Sequence, residues 1–114
     1  MFGDKSKSLP HAVALILLPE FTMMPVTSAI EPLRQANRFA EKTLYRWTMH
    51  SIDGQPVAAS NNILTMVNGD LESVPPDASI IVCGGLNVQK HADRRLIAWL
   101  RKVEARQAVD AAIT

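Results

Sequence analysis

A single cysteine, Cys83, is all that this 114-residue chain carries, so no disulfide can form within it. Three histidines, His11, His50 and His91, lie scattered with no H-x-x-x-H or H-E-x-x-H spacing, which speaks against a bound metal. Aromatic residues make up only 5% of the chain, and glycine occurs five times. The adjacent Gly84 and Gly85 complete neither G-x-G-x-x-G nor a glycine-rich loop ending in Lys-Ser/Thr, so no dinucleotide or phosphate fingerprint exists. No long hydrophobic run is present either. The longest, Ala12 to Leu18, falls far short of the ~20 residues of a membrane span. The polar start MFGDKSKSLPH lacks the pattern of a secretory signal. Twelve basic residues against eleven acidic ones leave a net charge of +1, which supplies no general attraction to nucleic acid or to anionic membranes. These absences point to a cytoplasmic protein without a membrane partner, a metal or a cofactor.

The residues that are present describe one globular domain, with 47% hydrophobic and 20% charged side chains. Residues 1–11 read as a flexible tail. AVALILLPEF is a short, almost unbroken apolar run closed by Pro19, the pattern of a parallel strand covered on both faces. Val26, Ala29, Ile30, Leu33, Ala36 and Phe39 or Ala40 then recur at helical spacing. Ser28 and Glu31 offer a capping box, Pro25 could alternatively sit in a first turn, and Pro32 predicts a late start or a kink. Tyr45, Trp47 and Met49 alternate with Arg46, Thr48 and His50 in a half-buried strand, with His50 expected to be partly exposed. Asp53-Gly54 turns the chain into a hairpin-like excursion, Ile63 to Val67 forms a short strand ending at Asn68-Gly69, and Ser79 to Cys83 forms a buried one. Asp93 is placed to cap a helix with a stripe of Leu96, Ile97, Leu100 and Val103, which His91 helps to start. Ala108 to Thr114 begins a further strand. The order predicts an α/β fold with a mainly parallel sheet, helices on both faces and a β-hairpin excursion. Because the last strand lacks a following helix, the domain is expected to be incomplete at its C-terminus.

Three features could carry chemistry. Cys83 stands at the end of a strand, where ligands of open α/β sheets bind and where a nucleophile could sit. No positioned base accompanies it, and cysteine is among the most buried residue types, so packing or pocket lining is the favoured role. Gly84 and Gly85 form a tight turn beside it. Glu31, Arg34 and Asn37 lie at intervals of three on the first helix, either as a surface ladder or as a ligand or dimer contact. Arg94, Arg95, Arg101, Lys102 and Arg106, interspersed with Asp93 and Glu104, read as a solvated helix face before a phosphate-binding surface.

The pieces LLPEFTMMPVTSAIEPLRQANR, LYRWTMHSIDGQPVAAS, SIIVCGGLN and HADRRLIAWLRK, in this order, resemble the N-terminal domain of GlxA-like transcriptional regulators of the AraC class. These form a branch of the ThiJ/PfpI (class I glutamine amidotransferase-like) superfamily. The resemblance implies a flavodoxin-like fold, with residues 12–114 as part of a sensor domain that takes a small nitrogenous effector, such as an amino acid or a betaine, and forms a homodimer. It also implies that DNA is bound by a C-terminal helix-turn-helix domain absent from this chain. Enzymatic relatives carry an acidic residue where Pro25 stands and a nucleophilic cysteine near the position of Ile113. Both departures imply that no catalytic residue is present, the alternative being a fragment of a ThiJ/PfpI-type cysteine enzyme. The same resemblance makes Cys83 a residue that lines the site region and does not attack substrate.

Overall fold

The computed structural model describes residues 9–105 and 112–113. Strand β1 (His11–Leu17) lies inside a four-stranded parallel sheet, between β2 (Tyr45–His50) and β5 (Ser79–Cys83), with β6 (Ala112–Ile113) beyond β5. His11 belongs to β1, so the strand starts inside the segment expected to be a tail, and residues 1–8 of that segment lie outside the described ones. Parallel neighbours cannot be joined by a tight turn, so the chain must cross a face of the sheet between them. Helix α1 (Met23–Ala40) makes the first crossing, and α3 (Arg94–Ala105) lies between β5 and β6.

The two crossings use opposite faces. Val13, Leu15 and Leu17 of β1 share a buried cluster with Val26 and Leu33 of α1, whereas Ile16 and Leu18 share one with Leu96, Trp99 and Val103 of α3. Alternation along a strand sends successive side chains to opposite faces. A strand packed from both sides is therefore apolar at every position, as the AVALILL run predicts. The flavodoxin-like α/β expectation is met, including the excursion: β3 (Val57–Ala58) and β4 (Leu64–Thr65) form an antiparallel ribbon beyond β2. Its second strand is shorter than the expected Ile63–Val67.

Several local expectations need correction. Helix α1 starts at Met23 and not near the Ser28 capping box; Thr22 precedes it without a side-chain cap, and Pro25 falls in the first turn, where its missing N–H costs nothing. The helix continues through Pro32, and the exposed position of Ser28 leaves the carbonyl that Pro32 cannot serve open to water. Phe39 is 84% exposed and does not extend the stripe. Six residues beyond Leu33 lies about 240° around the helix, so the seam passes instead through Asn37. There the Asn37 Oδ1 accepts the N–H groups of Leu44 (2.8 Å) and Tyr45 (2.9 Å), and its Nδ2 donates to the Tyr45 carbonyl (2.9 Å). One amide thus fastens the end of α1 to the start of β2.

In α3, Trp99 is buried with Leu96 and Val103, whereas Ile97 is half-exposed and takes no place in the core stripe. Asp93 caps the helix as expected, its Oδ1 accepting from the Leu96 N–H at 3.0 Å. His91 does not start α3; it ends a separate one-turn helix, α2 (Val88–His91), that the sequence reading lacked. Of the expected Ala108–Thr114 strand, β6 is described and the remainder lies outside the described residues.

His50 is buried at 1% exposure, contrary to expectation. Strand β2 is an edge, and the segment after β4 covers part of it. Met49 donates to the Asn68 side chain and accepts from the Asn68 N–H, both at 2.7 Å, and Ser51 N–H donates to the Gly69 carbonyl at 3.1 Å. The turn Leu71–Ser73 then closes over the imidazole. His50 Nδ1 lies 2.9 Å from the Asp70 carbonyl, which can only accept, so Nδ1 carries the proton. Nε2 then accepts from the Thr48 hydroxyl at 2.7 Å. A Cβ on Gly69 would run into Ser73 Oγ, so a side chain there would force the Ser73 hydroxyl away from the Asp70 carbonyl.

Burial pushes the His50 imidazole below its ordinary value, outweighing the opposing pull of the Asp70 carbonyl. The unfolded chain therefore binds a proton at His50 more readily than the folded one, and the stability tied to the neutral ring is present above about pH 6.5 and lost as the pH falls below it. Thermal melts from pH 8 to pH 5 are expected to show a steeper fall in the melting temperature for the native chain than for His50→Gln. Equal slopes for the two proteins would remove His50 as the cause.

Candidate functional site

The helices after β1 and β5 leave on opposite faces, so the carboxyl ends of these two neighbouring strands form the switch point at which doubly wound sheets open a binding crevice. In this chain that crevice is laced shut. Leu18 N–H donates to the Cys83 carbonyl and Thr22 N–H to the Gly84 carbonyl, each at 3.0 Å. The Glu20 N–H is tied to the Ala58 carbonyl of β3 at 2.9 Å. Glu20 takes a left-handed backbone conformation (φ 65°), and its carboxylate reaches across to α2 and the loop before it. Its Oε2 accepts from His91 Nε2 at 2.7 Å and from Asn87 Nδ2 at 3.2 Å. These bonds, the one from His91 foremost, hold the Glu20 carboxyl below the usual carboxylate range.

The open space lies to one side of this lacing, toward β2. A cavity of about 580 Å³ has Leu17 and Pro19 for a floor. One wall is the loop after β2, Ser51 to Asp53, continuing through Gln55 to Ala58, and the other is formed by Lys90, His91, Asp93 and Arg95. Its size suits a small organic ligand. The loop wall is braced from within: Ser51 Oγ donates to the Gln55 carbonyl at 2.7 Å, and Gln55 N–H donates to Asp53 Oδ1 at 3.0 Å. A smaller cavity of about 200 Å³ lies past the lacing, lined by Glu20, Thr22, Ala59, Ser60, Asn62, Leu86 and Asn87. The Glu20–His91 contact is thus the partition between the two spaces.

The candidate contact residues Cys83, Gly84, Gly85, Glu31, Arg34 and Asn37 divide into two groups and none of them lines either cavity, whereas Asp93 and Arg95 of the basic helix, with His91, line the larger one. Cys83, Gly84 and Gly85 lie at the laced crevice. Cys83 is 1% exposed within the apolar cluster on the α1 side, its thiol directed at the Ile81 carbonyl 3.8 Å away. Gly84 is buried, and a Cβ on Gly85 would strike the Glu20 carbonyl oxygen, so the close approach that the glycines permit is between two loops of the chain itself. Glu31 and Arg34 form an exposed pair on α1, with Nε–Oε2 2.6 Å and Nη2–Oε1 3.3 Å. That pairing lowers the carboxyl of Glu31 and raises the guanidinium of Arg34 from their ordinary values. Asn37 is spent on backbone at the amino end of β2, away from the cavities at the carboxyl ends. Among the described residues, no three His, Cys, Asp or Glu side chains converge as metal ligands would, and no helix is long and apolar enough to cross a membrane.

Sequence reasoning missed Glu20 and the role of His91. Glu20 is 71 residues from its histidine, and no spacing rule joins them. The available signal was position alone: an acidic residue directly after a doubly buried strand stands where such sheets bind ligands.

Two outcomes follow from this geometry. Cys83 should react with a disulfide reagent at neutral pH far more slowly in the folded chain than in urea, and equal rates would overturn its buried placement. Gly85→Ala should lower stability by about 1–3 kcal/mol in urea titrations, because the backbone must move to admit the methyl group. A neutral effect would show that the two loops are not in contact.

With the fold and cavities in place, the chain was compared with known proteins. No family model matches it. It is 36% identical over 98 residues, 86% of its length, to the HTH-type transcriptional regulator GbdR of Pseudomonas aeruginosa. It is 42% identical over 89 residues, 78% of its length, to the HTH-type transcriptional regulator CdhR of the same species. The chain spans only about a quarter (26%) of the length of either relative. Among solved structures, an AraC family transcriptional regulator from Pseudomonas putida superimposes with a TM-score of 0.73 at 23% identity, over 91% of this chain and 55% of that one. A ThiJ/PfpI family protein from Pseudomonas syringae superimposes with a TM-score of 0.66 at 14% identity, over 89% of this chain and 41% of that one, a likeness of fold. The chain is a homologue of one part of the HTH-type transcriptional regulators GbdR and CdhR, and it shares the fold of an AraC family regulator and of a ThiJ/PfpI family protein of known structure.

Proposed function

We propose that this chain is a non-catalytic, ligand-sensing part of an AraC-family transcriptional regulator, with its effector held in the 580 Å³ cavity beside the carboxyl ends of β1 and β2. The observation that carries the reading is the coincidence of that cavity with homology to regulators over most of the chain. The effector is a small nitrogenous metabolite, the class that the family resemblance implies. The protein works in the cytoplasm as a homodimer, and DNA contact belongs to a helix-turn-helix part outside this chain. The near-balanced charge agrees with that division of labour, since a phosphate-binding surface is strongly basic. The exposed Glu31–Arg34 pair is available to a dimer partner. The alternative of a cysteine enzyme would have to use Cys83 within this chain, and that thiol is enclosed by apolar side chains.

The walls of the cavity suit a sensor. One wall hangs from the edge strand β2 and the other begins the crossing to β6, so a ligand touching both would favour one relative placement of the two segments. A ligand shifts a conformational equilibrium only through such differential contact.

The test is a chimera in which this chain replaces its homologous segment in GbdR, assayed with a promoter reporter against a panel of amines and amino acids. At least one compound should change transcription, and Ala58→Trp, which fills the cavity, should abolish that response while the chimera stays folded by circular dichroism. A reporter indifferent to every compound, or an unaltered response in Ala58→Trp, would overturn the reading.

A further inference from the structure

The charges around the large cavity are equal in number but not in availability. Asp53 accepts the Gln55 N–H at 3.0 Å and lies 3.5 Å from the Ser51 hydroxyl. Asp93 accepts the Leu96 N–H at 3.0 Å and sits at the amino end of α3, where the helix dipole favours a negative charge. His91 is engaged by Glu20. Lys90 and Arg95 differ: among the described residues neither side chain makes a hydrogen bond or a salt bridge, and the Lys90 ammonium acts on Glu20 only through space. Both carboxylates are thus committed to the chain's own donors, while both cations face the cavity uncommitted. Beneath them the surface is aliphatic, from Leu17, Pro19 and Val57, and among the described residues no Phe, Tyr or Trp ring lines the cavity to receive a quaternary ammonium group.

We infer that the cavity takes an organic anion, its carboxylate or phosphate held by Lys90 and Arg95 and its short aliphatic body lying on Leu17, Pro19 and Val57. The inference rests on the sensing reading above and names the chemical handle by which the same cavity takes hold of its ligand. Guanidinium and ammonium donors form charge-assisted hydrogen bonds with either anion, and partial enclosure by the loop wall strengthens them relative to bulk water.

Amide chemical-shift titrations of the complete chain with butyrate, butyl phosphate and butylamine test it, since the three probes share a body and differ in the head group. Butyrate or butyl phosphate should shift the amides of residues 51–58 and 90–95 saturably, the stronger of the two showing which anion the site prefers, and butylamine should not. Lys90→Gln with Arg95→Gln should weaken that binding about tenfold or more. Arg101→Gln with Lys102→Gln makes the same change of charge on the exposed part of α3 and should leave the binding unchanged. Saturable binding of butylamine in preference to the anions would overturn the anionic handle and leave the sensing cavity standing. Equal weakening by the two double variants would reduce the effect to general charge and overturn the handle too. Absence of any shift at the cavity with all three probes would overturn the handle and count against the sensing reading as well.

Discussion

Strand β1 is hydrogen-bonded to a parallel neighbour on each edge and packed on both faces, and the rest of the chain is arranged to keep it so. Parallel neighbours need crossing connections, and those through α1 (β1 to β2) and α3 (β5 to β6) move in opposite directions along the sheet, so right-handed crossings cover β1 from both faces. Opposite exits create a switch point between β1 and β5, and every loop that follows these strands gathers at the same end of the sheet. The positions of the Glu20 turn, the glycine turn and α2 are consequences of that one strand. Seven residues without a charge, AVALILL, thereby place the candidate site before any side chain in it is considered.

The switch point does not itself provide the larger cavity. Backbone bonds from Leu18 and Thr22 draw the two loops together, the missing side chain of Gly85 lets them touch, and the Glu20 carboxylate spans to Asn87 and His91. Closing this crevice displaces the free volume toward β2, where the edge of the sheet is finished by Asn68 and Gly69 and not by another strand. The excursion with β3 and β4 is thus framed by two useful segments: Asn68 and Gly69 after it cover part of the β2 edge, and its entry loop supplies a wall of the cavity.

The layered fold was legible because its signals are local. The apolar runs of β1 and β5, the alternation of Tyr45, Trp47 and Met49 and the cap at Asp93 each lie within a few residues of the structure they determine. What was not legible depends on distant partners. His50 looked half-exposed because its cover, the Leu71–Ser73 turn, lies some twenty residues further on. Phe39 looked buried because a periodic stripe does not announce where the sheet beneath it ends, and Asn37 closes that seam with hydrogen bonds instead of hydrocarbon. Glu31, Arg34 and Asn37 stood out because regular spacing is visible in a sequence. The Glu20–His91 pair has no spacing to see.

Cys83 shows why position at a strand end is weaker evidence than surroundings. Its place on β5, opposite Leu17 in the parallel register, turns its side chain toward the α1 face and into the core. The carbonyl of the same residue is what reaches the crevice, where it accepts the Leu18 N–H. Side chain and backbone thus act in opposite directions, the thiol filling the core and the peptide group lacing the loops. A polar residue at this position would bury an added polar group, and a larger one would crowd α1, whereas cysteine satisfies both limits without reactive chemistry. The lone cysteine is accounted for by volume and polarity at a junction where the strand ends and the loop lacing begins.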